Sequence, residues 1–259
     1  MNKEQKDHLL QYLSKGIRYD GRKLLESRPV TIEVGISQSA EGSARVKIGT
    51  TDVMAGVKIA AEKPYGDTPD QGNLMVNAEL YPLSSPKFET GPPGEQAIEV
   101  ARVTDRGIRE SKAIDVKKLC ITPRELVWGV AIDVVTVNDG GDIMDAAALA
   151  AMAAVRHARF PALKDGKVDY GARTTMQLPI SSLPVSVTVY KIGPHFLIDP
   201  LPEEEDAADA RLTITTTEDG LVRAMQKGGA TPLTIDEIDT MVKISLERAP
   251  ELRKLLKQT

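Results

Sequence analysis

Apolar residues alternate with polar ones at Val30, Ile32 and Val34, and again at Ala44, Val46 and Ile48. That period of two predicts strands with one face against a core. The β character continues through 52–61 (TDVMAGVKIA), and a further strand fits 73–81. Between them Pro64, Gly66, Pro69 and Gly72 mark a loop. Ahead of these strands, Leu9, Leu10 and Leu13 have the spacing of a narrow helical stripe, predicting a surface helix over 2–15 that Gly16 would end. Residues 84–94 (SSPKFETGPPG) are irregular, and a helix is predicted over 95–113. The run 126–137 (LVWGVAIDVVTV) is nearly continuous in apolar and β-branched residues, predicting a central strand covered on both faces. After Asn138-Asp139-Gly140-Gly141, the segment 142–158 is alanine-rich and apolar on nearly every side. It predicts a buried helix whose small side chains allow close packing on a sheet.

Turn residues at 161–171 mark a boundary. Beyond it, strands fit 185–192, 195–199, 210–217 and 220–226, and an amphipathic helix fits 234–257. Strands followed by helices, twice over, predict an α+β chain of two similar lobes, a repeat of element order without a residue-level period. The division expected is an N-terminal helix and extension over 1–28, a first lobe over 29–160 and a second over 161–259.

Charge changes the picture. The 259 residues carry a net charge of −4 at neutral pH, so the field of the whole molecule repels nucleic acid; RNA could be held only by a local basic patch or a basic partner. The single cysteine, Cys120, excludes an internal disulfide framework. The polar N-terminal MNKEQK has no apolar signal region, and the longest apolar run, Ala146–Val155, is too short for a bilayer. The expectation is a cytoplasmic protein with no membrane contact.

Several chemistries are missing. His8, His157 and His195 are scattered and Cys120 is alone, so no zinc-like spacing exists. There is no G-x-S-x-G elbow and no G-x-G-x-x-G. The stretch Gly16–Lys23 begins like a P-loop but has Arg22 where the lysine belongs and no Ser or Thr directly after it.

The segment EQAIEVARVTDRGIR, 95–109, is more informative. At about 100° per residue, Arg102, Arg106 and Arg109 fall within an arc of roughly 60°. Ala97, Ile98, Ala101 and Ile108 lie to one side and are expected to face the core. Arginine suits phosphate because its planar fork can donate two parallel hydrogen bonds. The plainer alternative is a salt-bridged surface: Asp105 precedes Arg109 by four, Arg106 precedes Glu110 by four and Glu99 precedes Arg102 by three. Each such pair contributes only about 0.2–0.5 kcal/mol.

The segment GPPGEQAIEVARVTDRGIRESKAID, 91–115, closely resembles the non-catalytic RNase PH-like subunit of the archaeal exosome. So do Gly16-Ile17-Arg18-Tyr19-Asp20-Gly21-Arg22, Asn138-Asp139-Gly140-Gly141 with Asp145-Ala146-Ala147, and Asp199-Pro200 with the acids after it and Asp209-Ala210-Arg211-Leu212-Thr213. The resemblance runs from about residue 10 to the C-terminus. It implies the RNase PH-like fold (ribosomal protein S5 domain 2-like), with two βαβα-type lobes. It also implies a hexameric ring of three heterodimers with a catalytic RNase PH-like paralogue, capped by RNA-binding subunits and degrading single-stranded RNA from the 3′ end by phosphorolysis. By the same resemblance Arg102 and Arg106 match arginines associated with RNA, and Arg109 shares their arc.

In the catalytic paralogues the loop after the long strand, Gly-Gly-Thr-Arg or similar, binds the attacking phosphate. The matching positions are Gly140, Gly141, Asp142 and Ile143. A carboxylate there repels a phosphate dianion, by about 1 kcal/mol even for a well-solvated pair of unit charges. The resemblance therefore implies a subunit with no catalytic residues of its own, no metal and no cofactor. Paralogues carry two aspartates six residues apart; this chain has Asp199, then Glu205 and Asp206, readable as a surviving metal-binding pair or, as the favoured expectation, a solvated acidic turn. Arg22 and Arg28 are weak candidates for a basic rim. Two other readings stay open: an active phosphate-dependent 3′-to-5′ exoribonuclease, and a scaffold that assembles alone.

Overall fold

The computed structural model describes residues 1–164 and 167–259. Five strands form the path β1 (Val30–Val34), β2 (Gly42–Ile48), β3 (Thr51–Glu62), β6 (Leu126–Asn138), β4 (Asn73–Glu79), and the short β5 (Cys120–Thr122) also pairs with β6. All neighbours are antiparallel except β4 and β6, which run parallel. That parallel pair needs a crossover, supplied by α2 (Glu95–Glu110). The second sheet has the order β10 (His195–Ile198), β9 (Val185–Ile192), β11 (Ala210–Thr216), β12 (Val222–Gly228), all antiparallel.

The predicted buried helix is α3 (Ile143–His157). Twelve of its 15 residues are buried, from Ile143 through Val155 with only Ala148 half-exposed. It lies between the two sheets, against β2, β3 and β6 on one side and β9 on the other. Helix α5 (Ile235–Lys257) lies against β9 and β11, burying Met241, Ser245, Ala249, Leu252 and Leu256 at helical spacing. One continuous apolar core therefore contains Val46, Val57 and Ile132 of the first sheet together with Val187, Val189 and Ile214 of the second. On the other face of the second sheet, α1 (Lys3–Leu13) buries Leu9 and Leu13 against Tyr190, Ile192 and Leu197.

Four expectations change. Strand β6 is central, but only one face is fully buried; Asp133 on the other is exposed. The turn residues of 161–171 belong largely to a hairpin, β7 (Arg159–Lys164) and β8 (Lys167–Gln177), with 165–166 outside the described residues. The strands of the second lobe are interrupted by a six-residue helix, α4 (Pro202–Ala207), at the place expected to be an acidic turn. Proline at its first position fits a helix start, since its missing N–H would have no helical partner there.

The fourth concerns α2. It buries Ala97, Val100, Val103, Thr104, Gly107 and Ile108, whereas Ile98 is 47% exposed. The buried stripe is rotated from the expected one because α2 packs against β4, α3 and the edge strand β12 at once. Gly107 is where α2 approaches the second sheet: a Cβ there would stand 3.3 Å from Thr215 Oγ1.

Candidate RNA-binding face and the buried acidic centre

The rotation of α2 leaves Arg102, Arg106 and Arg109 on its exposed side. They span about 10 Å of helix axis at 1.5 Å per residue. Each is held differently. Arg102 has no hydrogen-bond or ion-pair partner among the described residues; Glu99, its expected partner, pairs instead with Arg211 of β11. Arg106 reaches β12, donating to Gln226 Oε1 at 3.1 Å and Met225 O at 3.4 Å. Arg109 forms the expected pair with Asp105, at 2.7 and 3.0 Å, and donates to Leu74 O at 3.0 Å. The hydrogen bonds it donates to Asp105 hold the Arg109 guanidinium still more firmly protonated. Of three expected intrahelical pairs one forms, and neither Arg102 nor Arg106 is neutralised by a carboxylate among the described residues. The expected salt-bridged surface is thus realised only at Arg109.

A second site lies at the N-terminus of α3. Gly140 and Gly141 bring the chain from β6 into the helix in close contact with other backbone: a Cβ on Gly141 (φ +88°) would collide with Pro200 O. Asp142 follows in the left-handed conformation, φ 60°, almost fully buried. Its backbone N–H donates to Glu205 Oε1 at 2.9 Å, an oxygen that also accepts from Tyr190 Oη at 3.0 Å. The positive end of α3, where an anion would be stabilised, is thus covered by the chain's own carboxylate. Asp142 Oδ1 is buried with no hydrogen-bond partner among the described residues, whereas one turn on Asp145 accepts from Thr188 N at 2.8 Å and Thr188 Oγ1 at 2.6 Å. Burial, with Asp145, Asp199 and Glu205 adding repulsion, pushes the Asp142 carboxyl well above the usual carboxylate range. Burial pushes Asp145 up to about 7 against the pull of its Thr188 bonds. Because Asp145 is hydrogen-bonded as an anion and Asp142 is not, Asp142 is the group that keeps the proton.

The expectation of a solvated acidic turn fails at Asp199, Glu204 and Glu205 and holds at Glu203 and Asp206. Asp199 is buried and gathers Arg22 Nη1 at 2.8 Å, Arg28 Nε at 3.0 Å and the Arg28 backbone N–H at 2.6 Å. Arg28 also donates to Gly140 O at 2.6 Å and Gly141 O at 3.2 Å, clamping the loop before α3 to the loop before α4. Arg22 and Arg28 are therefore internal struts rather than a basic rim. Glu204 is completely buried against Arg18, whose side chain is equally inaccessible. The Arg18 guanidinium also donates to Ile198 O at 2.9 Å and Asp199 O at 2.7 Å. Glu203 and Asp206 are exposed, Asp206 pairing with Lys87 at 2.6 Å. Asp199, Glu205 and Asp206 thus each have protein partners.

Residues 26–161 match domain 1 of the 3′ exoribonuclease family (RNase PH) and residues 182–248 match domain 2. The exosome complex component Rrp42 of Methanocella arvoryzae is 44% identical over 252 residues, covering 97% of this chain and 95% of that protein. Rrp42 of Thermoplasma acidophilum is 46% identical over 250 residues, 96% of this chain and 94% of that protein. Among solved structures, a chain of the Archaeoglobus fulgidus exosome with RNA bound to the active site superposes with a TM-score of 0.90 at 46% identity, covering 97% of both chains.

Proposed function

The chain belongs to the RNase PH family of 3′ exoribonucleases, and from that membership we propose that it is a catalytically silent ring subunit of an exosome that binds RNA for a neighbouring active subunit. The relatives are exosome components over nearly their whole length, which supports placing this chain in the same complex. The finer assembly in this reading is three heterodimers with a catalytic RNase PH-like paralogue, closed into a hexameric ring with RNA-binding caps, in the cytoplasm.

The observation that carries silence is the Asp142–Glu205 contact. Phosphorolysis needs a place where donors and positive charge hold an attacking phosphate. The corresponding helix end is capped by Glu205 and lined by Asp142, and Arg28, which holds the Gly140 and Gly141 carbonyls just before it, is bound to Asp199. The same contacts speak against an independently active enzyme. The purified chain, given RNA, phosphate and magnesium, should release no nucleoside diphosphates; release that disappears in Asp199→Ala would overturn the reading.

RNA is assigned to Arg102, Arg106 and Arg109. Arg102 supports this most directly, as an exposed guanidinium without a protein partner among the described residues on a helix anchored to both sheets. Phosphate contacts carry no base information, so binding should be sequence-tolerant. Native mass of the chain mixed with its paralogue tests the ring; a stable monomer in the mixture would count against it.

A further inference from the structure

Beyond Arg109 the arginine row runs into a cleft of about 620 Å³ lined by β4, the C-terminal end of α2, and the loop 63–72. Its floor is apolar, from Leu74, Ile108, Ile114 and Val116, and its edge carries Arg109, Lys112 and Lys117. The Tyr65 ring stands at the mouth, 55% exposed, its hydroxyl without a hydrogen bond among the described residues. Lys112 and Lys117 are exposed, and neither has an ion-pair partner among the described residues. Asp115 is the only carboxylate in the lining, and it is engaged by the Lys117 backbone N–H at 3.2 Å and by Lys118 at 3.5 Å.

We infer that this cleft is a nucleotide subsite, with a base against Tyr65 and the apolar floor and its phosphate on Arg109, Lys112 and Lys117. An exposed aromatic face beside cations, with Lys112 and Lys117 unpaired among the described residues and Arg109 shared with Asp105, is a combination that holds single-stranded nucleic acid without reading sequence, since every base has a π-face and every link a phosphate.

The loop is also pre-organised. Thr68 N–H donates to Tyr65 O at 3.2 Å, Gln71 N–H to Thr68 O at 3.2 Å, Gly72 N–H to Val116 O at 2.8 Å, and Arg124 N–H to Pro69 O at 2.7 Å. The backbone carrying Tyr65 is therefore fixed before a ligand arrives, which lowers the ordering cost of binding. Lys112 sits at φ 52° just past α2, a conformation in which glycine is favoured and lysine is strained.

A nucleotide could arrive as part of a strand or free as a nucleoside diphosphate. Continuity with Arg102 and Arg106 on the same helix favours the strand, and to that extent the inference rests on the RNA-binding reading above.

The test is the affinity of the full-length chain for a fluorescent oligoadenylate across a salt series, with ADP as competitor and thermal melting as a fold control. Tyr65→Ala should bind about tenfold more weakly and Tyr65→Phe nearly as the parent, because stacking needs the ring and not the hydroxyl. Lys112→Ala with Lys117→Ala should flatten the slope of log affinity against log salt by about 1.4, two phosphates' worth on a single strand. If Arg102→Ala with Arg106→Ala weakens binding while Tyr65→Ala matches the parent, the cleft is not a subsite although the arginine reading stands. If none of these variants weakens binding, both fail. Displacement by ADP that Tyr65→Ala abolishes, with oligoadenylate affinity unchanged, would overturn the strand as the occupant.

Discussion

The Asp142 backbone N–H points at the carboxylate of Glu205, 2.9 Å away, across the gap between the two sheets' loops. One element of the chain thereby supplies the anion for another. The site is closed by an internal bond between residues 63 apart rather than by loss of the loop, and Gly140 and Gly141 still shape the approach to α3.

Protonated burial of Asp142 makes stability pH-dependent. Its folded pKa is raised, so the folded state keeps a proton that the unfolded chain releases above about pH 4. The contribution is therefore intact below the ordinary carboxylate pKa and is lost as pH rises towards the folded one. Asp142→Asn should remove its share of this dependence and leave that of Asp145. Its stability relative to the parent should rise between pH 4 and 7, by up to about 1.4 kcal/mol per pH unit. Denaturant melts at several pH values check it, and parallel curves would show that Asp142 titrates normally.

Arg18 and Glu204 are both inaccessible, so removing one strands the other's charge. Arg18→Met should cost about 3–5 kcal/mol, lowering the melting temperature by roughly 10 °C in a chain this size. Arg18→Met with Glu204→Leu should recover most of the loss. A double variant no better than the single would assign the cost to the backbone carbonyls of Ile198 and Asp199 instead.

Arg102→Ala with Arg106→Ala removes side chains at the surface and should leave stability within about 0.5 kcal/mol of the parent. RNA binding should weaken, most at low salt, with a flatter salt dependence. Equal affinities and slopes at every salt concentration would reduce these arginines to a solvated surface.

Gly141→Ala places a methyl group into Pro200 O at a backbone angle that L residues rarely adopt. The expected cost is at least about 1–3 kcal/mol, read by chemical denaturation. A variant as stable as the parent would mean that this loop and the one before α4 separate freely.

The strands and α3 were legible because their signals are local: Val46 and Ile48 alternate, and the alanines of α3 surround it. Ile98 misled because its exposure is set by β12, more than a hundred residues away, tilting the buried stripe of α2. The acids of 203–206 read as solvent-facing because a charge run usually is. Nothing in four consecutive acids tells that Glu204 meets Arg18 across 186 residues, or that Glu205 meets Asp142. The arginine row was legible from spacing, and the pairing of each arginine was not: Glu99 is drawn off by Arg211, which only the folded chain brings near. Tyr65 passed unnoticed because a lone tyrosine among turn residues gives no periodic signal.

The small side chains of α3 have a consequence for fragments. An alanine helix offers little apolar area on any one side, so it must be covered on several sides to be worth burying. Neither sheet alone can do that, since α3 touches β2 and β3 on one side and β9 on the other. Cut between the sheets, the piece retaining α3 would present an alanine surface to water and self-associate, and the other would lose the support behind β9. Although the chain matches two family domains, it should therefore melt in one calorimetric transition and resist division into independently expressed halves.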